Sequence, residues 1–163
     1  MTEKVKIRSL LQDDIQEVRD LISEAGPFVS ARTLSDYWLY SRFFSETCLV
    51  AEISGEIAGV VVAVLNQVTN SGDCYIQDVA VSSKFRGTGV GKVLMEHLEL
   101  AVREHGYNKM WLTSEAANSN AIALWRRLGF VNSPADYQEN DLWVTRDLKG
   151  KGKDRVVFEK SLK

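Results

Sequence analysis

The segment Arg86-Gly87-Thr88-Gly89-Val90-Gly91-Lys92 sets glycines between two cations, directly ahead of an apolar helical stripe. A glycine-rich turn feeding a helix exposes unpaired backbone N–H groups at the positive end of the helix dipole. That setting suits a phosphate or pyrophosphate. A side chain at the glycines would hold such a ligand away from the amides. Two nucleotide-binding loops can be compared with this spacing. A Walker A loop requires glycine where Arg86 stands and a hydroxyl where Val93 stands. A dinucleotide fingerprint, Gly-x-Gly-x-x-Gly, would need a final glycine where Lys92 falls. Neither pattern fits. Taken alone, the segment also reads as a glycine-rich turn without a ligand.

Two flanking segments narrow the choice. Upstream, Cys74 to Val81 alternates as a strand and carries Gln77 and Asp78. Downstream, Asn118 to Phe130 reads as a short helix with Ala121, Leu124, Trp125 and Leu128 on one face. Asn118 or Ser119 caps its start, and Gly129 ends it in the left-handed conformation. Arg86, Gly89 and Gly91 satisfy Arg/Gln-x-x-Gly-x-Gly/Ala. The later segment follows Asn-x-x-Ala-x-x-Leu-Tyr-x-x-Leu-Gly-Phe, with Trp125 at the tyrosine position. Together they resemble the two signatures of the GNAT superfamily of acetyl-CoA-dependent N-acetyltransferases, and the resemblance covers nearly the whole chain.

The resemblance implies acetyl-CoA as co-substrate and direct attack by a primary amine of a small molecule or peptide. In the family's pattern, Arg86, Gly87, Thr88, Gly89, Val90, Gly91 and Lys92 correspond to the pyrophosphate loop. Backbone groups of Val79, Ala80 and Val81 would pair with the pantetheine amides, while Asn118 and Trp125 would border that arm. Acetyl transfer needs a neutral nitrogen near the thioester, a donor for the developing oxyanion and a proton for the thiolate. The family's Glu-Asp-hydrophobic-Ala-Val pattern becomes Gln77-Asp78-Val79-Ala80-Val81 here. Gln77 cannot take a proton, which leaves Asp78 as base. Asp78 is equally readable as a strand aspartate that orders a bulge or binds the substrate ammonium. Trp125 replaces the family's acid, and its indole N–H supplies no proton at neutral pH. Tyr137 is carried as the candidate acid, with Tyr75, Tyr107 and Glu115 also open. Trp125 itself reads as an aromatic packed in the core. Asp36, Tyr37 and Gln77 are the candidates for holding the acceptor. Around them, Ser35-x-Tyr37 to Val50-Ala51-Glu52 shows a faint similarity to the diaminobutyrate acetyltransferases. The same helix also reads as an amphipathic one using its aromatics as core. Two other functions stay open: a non-catalytic acyl-CoA-binding regulatory module, and an acetyltransferase directed at proteins.

The elements that must position these residues follow from periodicity. Val5 to Ser9 alternates as a first strand, and Asp13 and Asp14 open a helix through Ala25 that Gly26-Pro27 breaks. Thr33 caps a second helix over Leu34 to Ser45. Cys48–Ile53 and Glu56–Asn66 flank Ser54-Gly55, a hairpin turn. The helix after the glycine loop has the stripe Val90, Val93, Leu94, His97, Leu98, Ala101 and Val102, on which His97 reads as packed. Lys109 to Glu115 is a strand. Leu142–Arg146 and Arg155–Leu162 form a final hairpin around a mobile Lys-Gly loop. The expected architecture is α/β (α+β): a GNAT-like mixed, strongly twisted sheet with helices on both faces, one domain over residues 1–163.

Bulk properties set the remaining expectations. A net charge of −2 provides no basic field for nucleic acid. Ile57 to Leu65, the longest apolar run, is too short to span a bilayer, and the N-terminal residues lack an apolar signal region. Cys48 and Cys74 lie in strand-like settings and read as free thiols of a cytoplasmic protein. His97 and His105 lack partners at metal-ligand spacing, so no metal is expected. A homodimer is left open, as dimers are common in the family.

Overall fold

In the computed structural model, which describes residues 3–163, the strands are β1 (Lys6–Ser9), β2 (Cys48–Ile53), β3 (Glu56–Leu65), β4 (Asp73–Val81), β5 (Lys109–Ser114), β6 (Val131–Asn132), β7 (Tyr137–Glu139), β8 (Leu142–Thr145) and β9 (Arg155–Ser161). The helices are α1 (Ile15–Ser23), α2 (Leu34–Phe43), α3 (Val90–Glu104) and α4 (Ser119–Arg127). One sheet runs β1-β2-β3-β4-β5-β9-β8-β7, with β6 paired to β9. Among the described residues only the β4–β5 pair is parallel, and every other pairing is antiparallel. The sheet is mixed, as expected.

Helices cover both faces because the central strands are apolar on both. Val50, Val60, Val62 and Ala80 pack with Val18, Leu21 and Ile22 of α1 and Tyr37 of α2. Ala51, Val61, Ala63, Cys74 and Ile76 pack on the opposite face with Val90, Leu94, Leu98 and Val102 of α3. Near-continuous apolar character is what burial of both strand faces demands. Both cysteines are free and buried. Among the described residues, no helix is long and apolar enough to cross a membrane.

Two details of β4 shape everything that follows. Its ladder with β5 runs from Asp73–Lys109 to Ile76–Leu112 and stops there, although β4 continues to Val81 and β5 to Ser114. Beyond Ile76 the strands part, and β4 presents an unpaired inner edge. Against β3, Val62 pairs with Asp78 and Ala63 with Ile76, which leaves Gln77 as an extra residue in a β-bulge. A bulge reverses side-chain parity. Cys74 and Ile76 therefore share the α3 face with Val79 and Val81, while Asp78 and Ala80 turn to the α1–α2 face.

Local signals account for most element ends. The Ser54-Gly55 turn has both residues at positive φ (50° and 81°), the geometry that suits a two-residue hairpin. Two sequence expectations are corrected. His97 is exposed on α3 and its Nδ1 contacts the Val93 carbonyl, while Met95 is buried instead. The buried stripe follows Val90, Leu94, Leu98 and Val102, and His97 falls on its rim. The short strands β6 and β7, on either side of Pro134, were not foreseen; they are too brief to show a period.

α3 approaches β3 closely at Gly59. A Cβ there would lie 3.0 Å from Leu94 Cδ1, 3.0 Å from Val90 Cγ1 and 3.2 Å from the Ala80 carbonyl oxygen. Gly59→Val is expected to destabilise the fold by about 1–3 kcal/mol through overpacking, measured by urea denaturation. An unchanged midpoint would show that α3 can move away freely.

Candidate active site

Asp78 is 8 % exposed, and its Oδ2 has no hydrogen-bond partner among the described residues. Buried polar atoms normally find partners, and an orphan carboxylate oxygen is costly. Burial raises the Asp78 pKa above the ordinary carboxylate value, against the opposing pull of Arg32 and Lys149. The bulge at Gln77 aims this carboxylate at the α1–α2 face, beside the unpaired edge of β4.

Two cations from separate loops flank it. Arg32, in the connection from α1 to α2, places Nε 3.8 Å from Asp78 Oδ2, too long for a hydrogen bond. With the Gln77 amide turned so that its oxygen faces the guanidinium, Gln77 accepts from Arg32 Nε at 3.2 Å. The Arg32 backbone is fixed at both ends: its N–H donates to the Tyr37 hydroxyl at 3.0 Å, and its carbonyl accepts from Arg19 at 3.1 Å. Lys149 in the β8–β9 loop acts on Asp78 through its charge, donates to the Tyr75 hydroxyl and lies 5.1 Å from that ring's centroid. This loop is tied down: Asp147 accepts from Gly152 N at 2.6 Å, and Asp154 accepts from Asp147 N at 2.9 Å.

At the far end of β4, residues 82–89 lead into α3. Gly89 is the residue before the helix, with φ 88°, and no side chain caps the exposed first-turn amides. A Cβ at Gly89 would meet no protein atom within 4 Å, so packing does not demand glycine there. The backbone conformation does, and so does any ligand approaching the amides. A Cβ at Gly91 would lie 3.5 Å from Val81 Cγ2, so the helix start lies beside the open edge of β4. Arg86, Thr88 and Lys92 are exposed around this helix start. These features set open helix-start amides beside the free edge of β4, an arrangement that suits an anion.

Trp125 of α4 is 8 % exposed and packs edge-on against Phe130, with ring centroids 6.1 Å apart. Its Nε1–H donates to Ser114 Oγ at 3.1 Å. Ser114 is the last residue of β5, past the point where β4 and β5 part. With its oxygen accepting from Trp125, its own hydroxyl proton remains to give. Asn118 caps α4, accepting from Ala121 N at 3.3 Å.

Several expected residues hold other posts. The Asp36 carboxylate closes a capping box, accepting from Thr33 N at 3.0 Å and Thr33 Oγ1 at 2.8 Å. It is not presented as a free anion, because the helix start consumes it. Tyr37 is fully buried; its hydroxyl anchors Arg32 rather than facing an acceptor. Tyr137 donates to Asp154 at 2.5 Å, and that bond pushes its pKa up to about 12. Its proton is thus held by a carboxylate. Tyr107 donates to the Asn66 carbonyl at 2.9 Å, and Glu115 lies 3.9 Å from Arg155. Gln77, Asp78 and the edge Val79–Val81 lie together on β4, with Arg32, Lys149 and Tyr75 around Gln77 and Asp78, while Ser114 lies with Trp125 at the end of β5. Sequence reasoning missed Arg32, Lys149 and Ser114. Among the described residues, no group of three or more His, Cys, Asp or Glu side chains could hold a metal ion.

Comparison with known proteins bears on this geometry. A family model described as "Acetyltransferase (GNAT) family" matches residues 15–130. The chain is 34 % identical over 87 residues to streptothricin acetyltransferase of Streptomyces lavendulae, covering 53 % of this chain and 45 % of that protein. It is 28 % identical over 101 residues to N-alpha-acetyltransferase MAK3 of Arabidopsis thaliana, covering 62 % and 52 %. The matches thus span about half the length of these curated relatives. Among solved structures, a diaminobutyrate acetyltransferase from Paenibacillus lautus, in complex with L-2,4-diaminobutyric acid and coenzyme A, superposes with a TM-score of 0.76. That pair shares 21 % identity over 99 % of this chain and 96 % of the other.

Proposed function

The chain belongs to the acetyltransferase (GNAT) family, and from that premise we propose that it transfers an acetyl group from acetyl-CoA to a primary amine of a small molecule or peptide by direct attack. One observation carries the proposal: the buried, unpartnered Asp78 carboxylate lies on the same strand whose free edge runs toward the open amides of α3. Residues 1–163 are taken as one such domain, working in a reducing, cytoplasmic setting that suits the free thiols of Cys48 and Cys74.

The residues present fit acetyl-CoA. The amides of Val90, Gly91 and Lys92, with Arg86, Gly87 and Thr88, would hold the pyrophosphate at the helix start. The free edge of Val79–Val81 would receive the pantetheine arm as an added strand, with Asn118 and Trp125 bordering it. Bound there, the coenzyme supplies an activated thioester carbonyl and a thiolate leaving group.

On the opposite face, Asp78 does the proton chemistry. An amine arrives mostly protonated at neutral pH and attacks only as the free base. The raised pKa of Asp78 moves its basicity toward the operating range, which favours proton transfer. As the C–N bond forms and the C–S bond breaks, negative charge moves to the carbonyl oxygen and then to sulfur. Backbone N–H groups on the free β4 edge suit the first. The hydroxyl of Ser114, whose oxygen is already engaged by Trp125, would donate a hydrogen bond to the second, and the departing thiolate takes its proton from water. Trp125 acts as a positioning residue and not as an acid.

The reading is tested by thiol release from acetyl-CoA across amines, polyamines, amino acids and peptides. Turnover with at least one acceptor class is expected. Tight coenzyme binding without turnover on the whole panel would overturn catalysis in favour of a regulatory acyl-CoA-binding module.

A further inference from the structure

We propose that the acceptor is a small amine carrying a carboxylate on the same skeleton, its nitrogen facing Asp78 and its carboxylate held by Arg32 and Lys149. This deepens the acetyl-transfer reading above and rests on it.

The charges at the mouth of the site motivate the proposal. Asp78 contributes one negative charge, with an oxygen that has no partner. Arg32 and Lys149 contribute two positive charges, and both reach Asp78 electrostatically from separate loops. Neither cation is neutralised at close range. Arg32 has only the 3.8 Å approach to Asp78, and Lys149 has no ion pair among the described residues. The other nearby carboxylates are occupied: Asp36 by the Thr33 cap, Asp147 by Gly152, and Asp154 by Tyr137 and Asp147. A bare diamine or polyamine would bring further positive charge against two cations. A zwitterion places its ammonium on the orphan carboxylate and its carboxylate on the guanidinium, whose paired N–H groups match a carboxylate fork.

The placement of Arg32 is also built rather than incidental. Tyr37 spends its buried hydroxyl on the Arg32 N–H, and Arg19 holds the Arg32 carbonyl. Gln77, the residue inserted by the bulge, orients the guanidinium through its amide oxygen. A glutamate at that position would neutralise Arg32; glutamine positions it and leaves its charge available. Lys149 is steadied by the hydroxyl and ring of Tyr75.

The test uses pairs that differ only in the carboxylate, at saturating acetyl-CoA: L-ornithine against 1,4-diaminobutane, L-2,4-diaminobutyrate against 1,3-diaminopropane, and L-lysine against its methyl ester. A charge-assisted contact is worth about 1.5–3 kcal/mol, so the carboxylated member should lead by about one to two decades in kcat/KM. Arg32→Gln and Lys149→Gln should each shrink that ratio, chiefly through KM of the carboxylated member. Taking the ratio within each variant removes any general loss of rate or of folded protein. Equal rates within the pairs, or preference for the uncarboxylated members, overturn the proposal alone, as does a ratio unchanged in both variants. A protein that turns over no amine at all overturns the acetyltransferase reading first and this inference with it.

Discussion

Asp78→Asn is expected to lower kcat/KM by about two to four orders of magnitude, the range that a positioned general base supplies, while making the free protein more stable. The opposite signs share one cause. Asp78 is buried, and desolvation outweighs the attraction of Arg32 and Lys149, so its folded-state pKa lies above its unfolded value. Such a group contributes stability that is fully present below the unfolded pKa and lost as pH rises through the folded pKa. At neutral pH the buried anion is therefore a cost, which asparagine removes at nearly the same size. A gain of about 1 kcal/mol would raise the melting temperature by roughly 2–4 °C for a chain of this size. Activity runs the other way: it falls as pH drops through the raised pKa, giving kcat/KM an acid limb that the variant lacks. A loss confined to KM would make Asp78 an ammonium anchor and not a base. Wild-type activity in the variant would move the proton chemistry elsewhere.

Gly89→Glu is expected to weaken acetyl-CoA binding by about one to two decades, the equivalent of one lost charge-assisted contact of about 1.5–3 kcal/mol. The new carboxylate would stand in front of the α3 amides, where a Cβ meets no protein atom within 4 Å. Gly89 also has φ 88°, so any side chain costs about 1–2 kcal/mol in backbone strain. Gly89→Ala carries the strain without the charge and separates the two effects. Arg86→Ala should do less than Gly89→Glu, because an exposed cation is screened by solvent. Calorimetric titration with acetyl-CoA, after circular dichroism confirms folding, decides the matter. If folded Gly89→Glu binds like the parent, the pyrophosphate is held elsewhere.

What was legible in the sequence was local. The Ser54-Gly55 turn, the Thr33 and Asn118 caps and the glycine start of α3 each involve residues a few positions apart, and each forms as its spacing implies. The loop proposed to hold the coenzyme is local in the same way, a run of seven residues leading into α3. The proposed acceptor side was legible only in part: Gln77 and Asp78 stand together in the motif strand, but Arg32 and Lys149 come from two further stretches, and no periodicity links the three. Ser114 reads as one more alternating strand residue until Trp125 is seen to reach it. The assignment of Asp36 to the acceptor could have been tempered from sequence. Thr33-x-x-Asp36 resembles a capping box with aspartate in the glutamate position, and the structure spends the carboxylate there.

The bulge at Gln77 has a consequence for how this site tolerates insertion and deletion. Loss of a single codon at that position would leave β4 one residue shorter and restore regular pairing with β3. Both ends of the strand would keep their facing, because Ile76 and Asp78 already oppose neighbouring residues of β3 and point to opposite faces. Loss of any other β4 residue would instead turn one end over, moving either Asp78 or the Cys74–Ile76 pair to the wrong face. Deletion at the bulge thus removes the side chain that orients Arg32 and spares both the carboxylate and the core.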